Sequence, residues 1–149
     1  MKELLKTLTI IFTILAAITA LLFGGVAFIH RQNIKVEPPV LSLRGWGILL
    51  MLLAVILSVA LPILLRTTFH SKAAREKKAS FSSYSKLQKI IVAVSFAGAF
   101  FACLAYLFVT PKLHLYVAVL SGLYGIYGAI PARKKISGEL AYYGLKGKE

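Results

Sequence analysis

The sequence predicts an all-α membrane protein: a four-transmembrane-helix bundle of up-down-up-down topology, with both termini in the cytoplasm. Two observations predict it, namely four long apolar runs without charged side chains and a strong asymmetry of positive charge between them. The runs cover residues 7–29, 45–65, 90–110 and 113–130, which is 23, 21, 21 and 18 residues. About 20 helical residues at 1.5 Å each cross a hydrocarbon core roughly 30 Å thick. Each run is therefore long enough to span a bilayer, the last with the smallest margin.

Composition places the chain outside the range of soluble globular domains. It has 149 residues, of which 58% are hydrophobic, and a mean hydropathy of +0.79, whereas soluble domains are typically about 45–50% apolar. The longest polar connection between spans, 66–89, is too short for a separate soluble domain. We therefore expect a single integral membrane domain over residues 1–149.

The positive charge is distributed unevenly between the two sides of the predicted bundle. The net charge is +13, and 14 of the 18 Lys and Arg residues lie in the amino-terminal segment, the connection 66–89 and the tail after residue 130. The other side has four, which are Arg31, Lys35, Arg44 and Lys112. The positive-inside rule makes the richer side cytoplasmic, so no nucleic-acid partner is needed to explain the charge. Short outer connections and the absence of a glycosylation sequon favour a bacterial or archaeal plasma (inner) membrane.

Residues between and within the spans indicate where helices begin, bend and end. Trp46 beside Arg44 is typical of an outer membrane interface, and the turn Pro111-Lys112 predicts a tight hairpin of antiparallel helices. Pro62 removes one backbone hydrogen bond and predicts a kink in the last turn of the second span. Beyond Pro131, apolar side chains at helical spacing predict a short interfacial helix. They are Ile136, Leu140 and Tyr143.

Small residues at four-residue spacing predict close helix packing, because they let helix backbones approach each other in lipid. The stretches that show this pattern are Ala16, Ala20 and Gly24; Gly98 and Ala102; and Ser121, Gly122, Gly125 and Ala129. The pattern is equally compatible with contacts inside one chain and contacts between chains. It predicts an intimate bundle or a homo-oligomer.

Tyrosines and histidines are the candidate ligand-binding groups. Tyr116, Tyr124 and Tyr127 share one face of the fourth span, and buried phenols need hydrogen-bond partners. We therefore expect this face to point into the bundle or towards an interface. A quinone or lipid head-group pocket is one hypothesis, and packing with interfacial anchoring is the alternative. His30 and His114 lie at similar depth near the outer surface and are the minimum set for bis-histidine haem ligation; two interfacial histidines are the alternative.

The connection 66–89 and the tail combine clustered cations with serines and aromatic residues. Each juxtamembrane cation contributes about 1 kcal/mol of attraction to anionic lipid, and we expect Phe81 and Tyr84 to insert at head-group level. An acidic partner is a second candidate, and a plain topology determinant is a third. The cations concerned are Lys72, Arg75, Lys77, Lys78, Lys86, Arg133, Lys134 and Lys135.

Nothing in the sequence indicates catalysis. There is no Asp, all five acidic residues are Glu and lie outside the spans, and Cys103 is the one cysteine. Proton relays and cation sites usually need carboxylates within the membrane, and a cysteine metal cluster needs more than one thiol. We therefore expect no enzyme activity, no metal and, apart from the haem alternative, no cofactor.

The leading functional hypothesis is a small polytopic membrane protein that acts as an accessory or assembly subunit, or a scaffold. Its partners would be the lipid bilayer, anionic lipids, and either a larger membrane protein or further copies of itself. The alternatives are an oligomeric channel, holin-like pore or small transporter, and a haem or quinone anchor. Candidate pore-lining groups are Thr9, Thr13, Thr19 and Ser121.

Overall fold

A computed structural model describes residues 2–34, 36, 42–76, 80–108 and 110–144. Every regular element among these residues is helical, which confirms the all-α prediction for this part of the chain. The elements, in chain order, are α1 (Lys2–Arg31), α2 (Leu43–Val55), a π-helical turn (Ile56–Ala60), α3 (Leu61–Glu76), α4 (Phe81–Leu107), α5 (Lys112–Ala129) and α6 (Arg133–Tyr142).

Three helices among the described residues are long and apolar enough to cross a membrane. They are α1, the continuous helix Arg44–Ala73 formed by α2, the π-helical turn and α3, and α4. Helices α5 and α6 together make a fourth candidate, with a bend of 67° between them. Pro131 lies at this bend, where its missing N–H and its ring disfavour a continuous helix.

The helices extend well beyond the predicted spans on the side that is rich in Lys and Arg. Helix α3 continues to Glu76 and α4 already begins at Phe81, so most of the connection 66–89 is helical rather than a loop. Ala73 and Ala74 are among the strongest helix formers, and they favour this extension. Ser80 precedes α4 in an extended conformation, with φ −98° and ψ 137°, as is common for an N-cap residue.

The predicted kink at Pro62 is instead a π-helical turn one turn earlier. Proline has no N–H for the carbonyl of Ser58, four residues before it, and its ring would collide with that carbonyl in a regular α-helix. Widening the helix over Ile56–Ala60 relieves the collision, and the N–H of Leu61 bonds to the carbonyl of Ile56. The helix therefore passes through the proline without ending.

Close packing between α4, α5 and the π-helical turn forms the centre of the structure. A Cβ atom added to Gly125 would lie 2.7 Å from the Cβ of Ser58 and 3.0 Å from its carbonyl oxygen. One added to Gly122 would lie 3.2 Å from the Cα of Ala99 and 3.3 Å from the Cβ of Ala102. Glycine is needed at Gly125 because any side chain there would overlap the opposing backbone.

Helix α1 packs differently from the sequence expectation. Its buried residues are Leu4, Leu8 and Val26, and Ala16 packs at the edge of the core. Ala20 and Gly24 are exposed, and a Cβ on Gly24 would meet nothing within 4 Å. These two small residues therefore make no close contact with another described helix, because α1 turns its larger side chains towards α4.

The two ends of the structure are assembled from different parts of the chain. At one end, Leu4 and Leu8 share a core cluster with Tyr84, Ile136 and Leu140. The amino terminus, the start of α4 and the tail therefore meet there.

At the opposite end, His30 contacts the carbonyl of Leu107 at 3.2 Å. The Trp46 ring packs against Phe108, with 5.8 Å between their centroids. The end of α1, the start of α2 and the end of α4 therefore meet there.

Two adjacent isoleucines of α4 provide a test of this packing. Ile91 is 1% exposed, whereas Ile90 is 48% exposed. We expect Ile91→Val to lower the free energy of unfolding by about 0.5–1.5 kcal/mol, because a buried methylene is lost. Ile90→Val removes the same methylene from an exposed side chain, and it should lower the free energy of unfolding by less than about half as much. Thermal unfolding in one detergent checks this, and equal losses would contradict the assigned orientation of α4.

Candidate functional site

A buried polar cluster lies under α6, at the end of the structure where the Lys- and Arg-rich segments meet. The hydroxyl of Tyr84 donates to Oε2 of Glu139 at 2.6 Å. The side-chain amide of Gln88 donates to the same oxygen at 2.7 Å and to the Tyr84 hydroxyl at 3.0 Å. Tyr84 and Gln88 are buried. We call these three residues the Glu139 cluster.

Helical spacing in two elements brings the Glu139 cluster together. Tyr84 and Gln88 are four residues apart on α4, so they lie on the same face. Glu139 lies on α6 between Ile136 and Leu140, whose buried side chains join the core that α4 and α1 form. The apolar face of α6 thus docks the helix, and docking carries the carboxylate to the two buried donors.

A second polar contact joins α3, α5 and α6 through one carbonyl. Nζ of Lys135 donates to the carbonyl oxygen of Gly128 at 2.6 Å, and an Nη of Arg66 donates to the same oxygen at 3.3 Å. Gly128 lies in the last turn of α5, where carbonyls lack helical partners and the helix dipole attracts cations. We call Arg66 and Lys135 the cation pair.

The cation pair lies in a partly buried setting. Burial lowers the pKa of the Lys135 ammonium, the neighbouring Arg66 guanidinium lowers it further, and Glu139 raises it. The Nε–H of Arg66 is buried and has no hydrogen-bond partner among the described residues. Buried donors are usually paired, so the guanidinium of Arg66 retains unused hydrogen-bonding capacity.

The remaining predicted cations are distributed around this end of the structure. Lys72, Lys86, Arg133 and Lys134 are exposed, and Lys135 is half-buried. Lys77 and Lys78 lie outside the described residues, as does the side chain of Arg75. The expected insertion of Tyr84 at a lipid surface is wrong, because its side chain is buried in the core and bonded to Glu139. Phe81 is half-buried against the same core.

Sequence reasoning missed Glu139, Gln88 and Arg66 as members of a site. Gln88 is polar and stands four residues from Tyr84 in a helix that is otherwise largely apolar, a signal that was available. Arg66 looked like any other cation flanking a span. Its contact with α5 depends on how the helices pack, and no spacing in the sequence indicates it.

The three tyrosines of α5 are exposed on the surface of the described structure. Tyr116, Tyr124 and Tyr127 are 60%, 59% and 75% exposed, so the expectation that they point into the bundle is wrong. The reason is that Gly122, Gly125 and Ala129 form the buried face of α5, which turns the tyrosines outward. An interface outside the chain remains a prediction for them.

An apolar cleft of about 180 Å³ opens between α1, α4 and α5. Its lining includes Phe23, Ala99 and Gly122, and none of the predicted ligand-binding tyrosines or histidines. Its walls have almost no polar surface, so they offer no groups that would orient a ligand.

The two histidines of the haem hypothesis pack against different helices. His30 lies on Tyr106 of α4, with 4.8 Å between ring centroids. His114 faces α2, where a Cβ added to Gly47 would lie 2.9 Å from its Nδ1. Both rings are thus in contact with helix surfaces. The described residues contain no group of three or more His, Cys, Asp or Glu that could hold a metal ion.

The candidate pore-lining hydroxyls are mostly bonded to their own helices or exposed. Thr19 donates to the carbonyl of Leu15 and Ser121 to that of Val117. Thr9 and Thr13 are exposed on α1. The structure therefore does not gather these four groups around a common axis within one chain.

The described residues define a class: an all-helical structure with three or four helices of membrane-spanning length and a polar cluster at one end. No family model, characterised protein or solved structure matches the chain.

Proposed function

We propose that this chain is an integral membrane protein with four spans in up-down-up-down order, and that it acts without catalysis as an assembly subunit. Both termini and the connection between α3 and α4 would face the cytoplasm, in a plasma (inner) membrane. The outer face of α5 would dock against a helix of a membrane-protein partner, either a larger protein or a second copy. The Lys- and Arg-rich end would lie at the anionic lipid surface.

The contacts at the two ends support this topology. The segments that contain most of the Lys and Arg residues meet around the core cluster of Leu4, Tyr84 and Ile136, as the positive-inside rule requires if that end is cytoplasmic. His30, Trp46 and Phe108 gather at the other end. Aromatic rings at that end suit a membrane interface.

The exposed face of α5 is the observation that carries the proposed assembly role. Tyr124 stands outward beside Leu120 and Leu123, both of which are also exposed. Hydrocarbon offers a phenol no hydrogen-bond acceptor, whereas a partner helix offers carbonyl and hydroxyl groups. Tyrosine is also enriched at protein interfaces, where its ring packs and its hydroxyl bonds.

Small residues that were predicted to dock a partner instead pack against other helices of the same chain, which changes the predicted docking surface. Gly98, Gly122 and Gly125 contact other helices of the same chain, so they are not free to bind a partner. Replacing Gly125 with a bulky residue would therefore disrupt the fold itself and would not report on assembly. The outward tyrosines of α5 are the better positions to test.

Tyr124→Ala is expected to reduce the share of chains that retain a partner by about tenfold, the effect of an interface hot spot worth about 1.4 kcal/mol. Native mass spectrometry after extraction in native nanodiscs measures this share. The added mass also distinguishes a second copy from a different protein.

The matched control is Ile14→Ala on α1, because Ile14 is 54% exposed, close to the 59% of Tyr124. It should leave partner retention unchanged. A wild-type chain that leaves its own membrane as a bare monomer, or equal retention in Tyr124→Ala and wild type, would count against the assembly role.

A further inference from the structure

We propose that Arg66 and Lys135 form a specific site for a phosphate group, placed at the level of the lipid head groups. This inference deepens the proposed contact with anionic lipid and rests on the proposed membrane placement, although it does not depend on the docking face of α5. It assigns the binding of anionic lipid to two residues, whereas the sequence predicted it for eight cations, of which Lys135 is one.

The geometry brings the two cations onto one point. Both donate to the carbonyl oxygen of Gly128, at 2.6 and 3.3 Å, so their nitrogens are separated by no more than the sum of those distances. A guanidinium has five N–H donors and an ammonium has three. One carbonyl oxygen occupies only one donor of each, and further donors remain on both groups.

The charges around the cation pair are not balanced within the cluster. Glu139 is the acidic residue that acts on Lys135, but its Oε2 already accepts two hydrogen bonds, from Tyr84 and Gln88. Among the described residues, two positive groups held close together therefore stand beside one carboxylate, whose Oε2 is already bonded to Tyr84 and Gln88. The Nε–H of Arg66 has no hydrogen-bond partner among the described residues, but it is itself buried, so a phosphate would meet the guanidinium through its Nη groups.

A phosphate group matches what the cation pair lacks. It brings negative charge and several acceptor oxygens, it suits the planar fork of an arginine, and lysine binds it as a point charge. Capping of α5 alone would need only one cation on the Gly128 carbonyl. The presence of two, with donors to spare, points to an anion that bridges them.

The position of the pair favours a phosphate carried by a lipid. Arg66 lies just after the second predicted span, and Lys135 lies on α6, shortly after the fourth. Phospholipid phosphates lie at this level of a bilayer. Exposed Arg133 and Lys134 stand nearby on α6 and would attract an anionic lipid towards the site without bonding it specifically.

The test counts phospholipids retained by the full-length protein in native mass spectrometry after release from nanodiscs of phosphatidylcholine and phosphatidylglycerol. Wild type should retain one phosphatidylglycerol, and Arg66→Gln and Lys135→Gln should each reduce its retention by about tenfold. Lys134→Gln removes the same charge from the adjacent exposed residue and should reduce it less than about twofold. Lys135→Arg, which keeps the charge, should retain the lipid.

Two further measurements keep the outcomes distinct. Maleimide labelling of Cys103, which is buried, identifies any variant that has lost its fold. If Arg66→Gln is such a variant, the comparison of Lys135→Arg with Lys135→Gln tests the site instead.

Addition of inorganic phosphate distinguishes a lipid phosphate from a soluble one, because displacement of the lipid would assign the site to soluble phosphate. Equal losses in Lys134→Gln and Lys135→Gln, or no retained lipid and no bound phosphate in wild type, would overturn the site. Partner retention through Tyr124 is a separate readout, so either proposal can fail alone.

Discussion

Gly98→Leu is expected to prevent the chain from reaching its folded structure. Even the first side-chain atom, a Cβ at Gly98, would overlap Oγ of Ser58 and lie 2.8 Å from its backbone nitrogen. Gly98→Ala should therefore already destabilise the fold by about 1–3 kcal/mol, the range for overpacked cores. Leucine adds three more carbon atoms at a contact where the backbone nitrogen of Ser58 cannot move aside.

The rate of maleimide labelling at Cys103 measures this effect. The thiol is buried, so labelling of the native chain requires opening, and it should become fast in Gly98→Leu. Gly24→Leu is the matched control, because Gly24 is exposed and a Cβ there meets nothing within 4 Å. Ser58→Ala should partly restore Gly98→Ala by removing the overlapping Oγ. Slow labelling in Gly98→Leu would show that α4 does not pack against the π-helical turn as described.

Glu139→Ala is expected to release α6 from the rest of the structure. The change leaves the Tyr84 hydroxyl and the Gln88 amide buried without their common acceptor, and each unsatisfied buried donor is worth about 1–3 kcal/mol. Helix α6 has ten residues and is also held by the packing of Ile136 and Leu140, by the Lys135–Gly128 hydrogen bond and by the contact of Tyr142 with His70. Two unsatisfied buried donors together cost more than either of these remaining polar contacts, so α6 should separate from the rest of the structure more often.

Hydrogen exchange of the amides in Arg133–Tyr142 reports on this release. Protection should fall strongly in Glu139→Ala, while the amides in the middle of α4 stay protected. Glu139→Gln retains one acceptor oxygen and should lose less protection, and Glu3→Ala removes an exposed carboxylate at the start of α1 without effect. Unchanged protection in Glu139→Ala would mean that the Glu139 cluster does not hold α6.

The release of α6 would also disrupt the proposed phosphate site. Lys135 and Glu139 lie one turn apart on α6, so a released helix removes Lys135 from Arg66 and from the Gly128 carbonyl. Phosphatidylglycerol retention should then fall in Glu139→Ala, although the net positive charge of the chain has risen. If net charge alone attracted anionic lipid, phosphatidylglycerol retention would rise instead.

Several features of the fold follow from local sequence alone. The apolar runs predict helices of membrane-spanning length because backbone groups in hydrocarbon must bond within their own segment. The spacing of Ile136, Leu140 and Tyr143 predicts α6, and the structure buries the first two in the core. Pro62 predicts an irregularity, because a missing N–H acts on the carbonyl four residues away whatever the tertiary structure. All of these depend on contacts within one or two helical turns.

The sequence by itself therefore determined the helical class, the apolar lengths, the gathering of Lys and Arg in three segments, and the amphipathic tail. Only the tertiary structure decided which face of each helix packs. Helix α5 is apolar on nearly all sides, so helical spacing shows that Tyr124 and Tyr127 stand apart from Gly122 and Gly125 but not which pair faces inward. The burial of Tyr84, its bond to Glu139 and the meeting of Arg66 with Lys135 join residues more than 50 positions apart. Such contacts arise from the packing of several helices at once, and the periodicity of one helix contains no information about them.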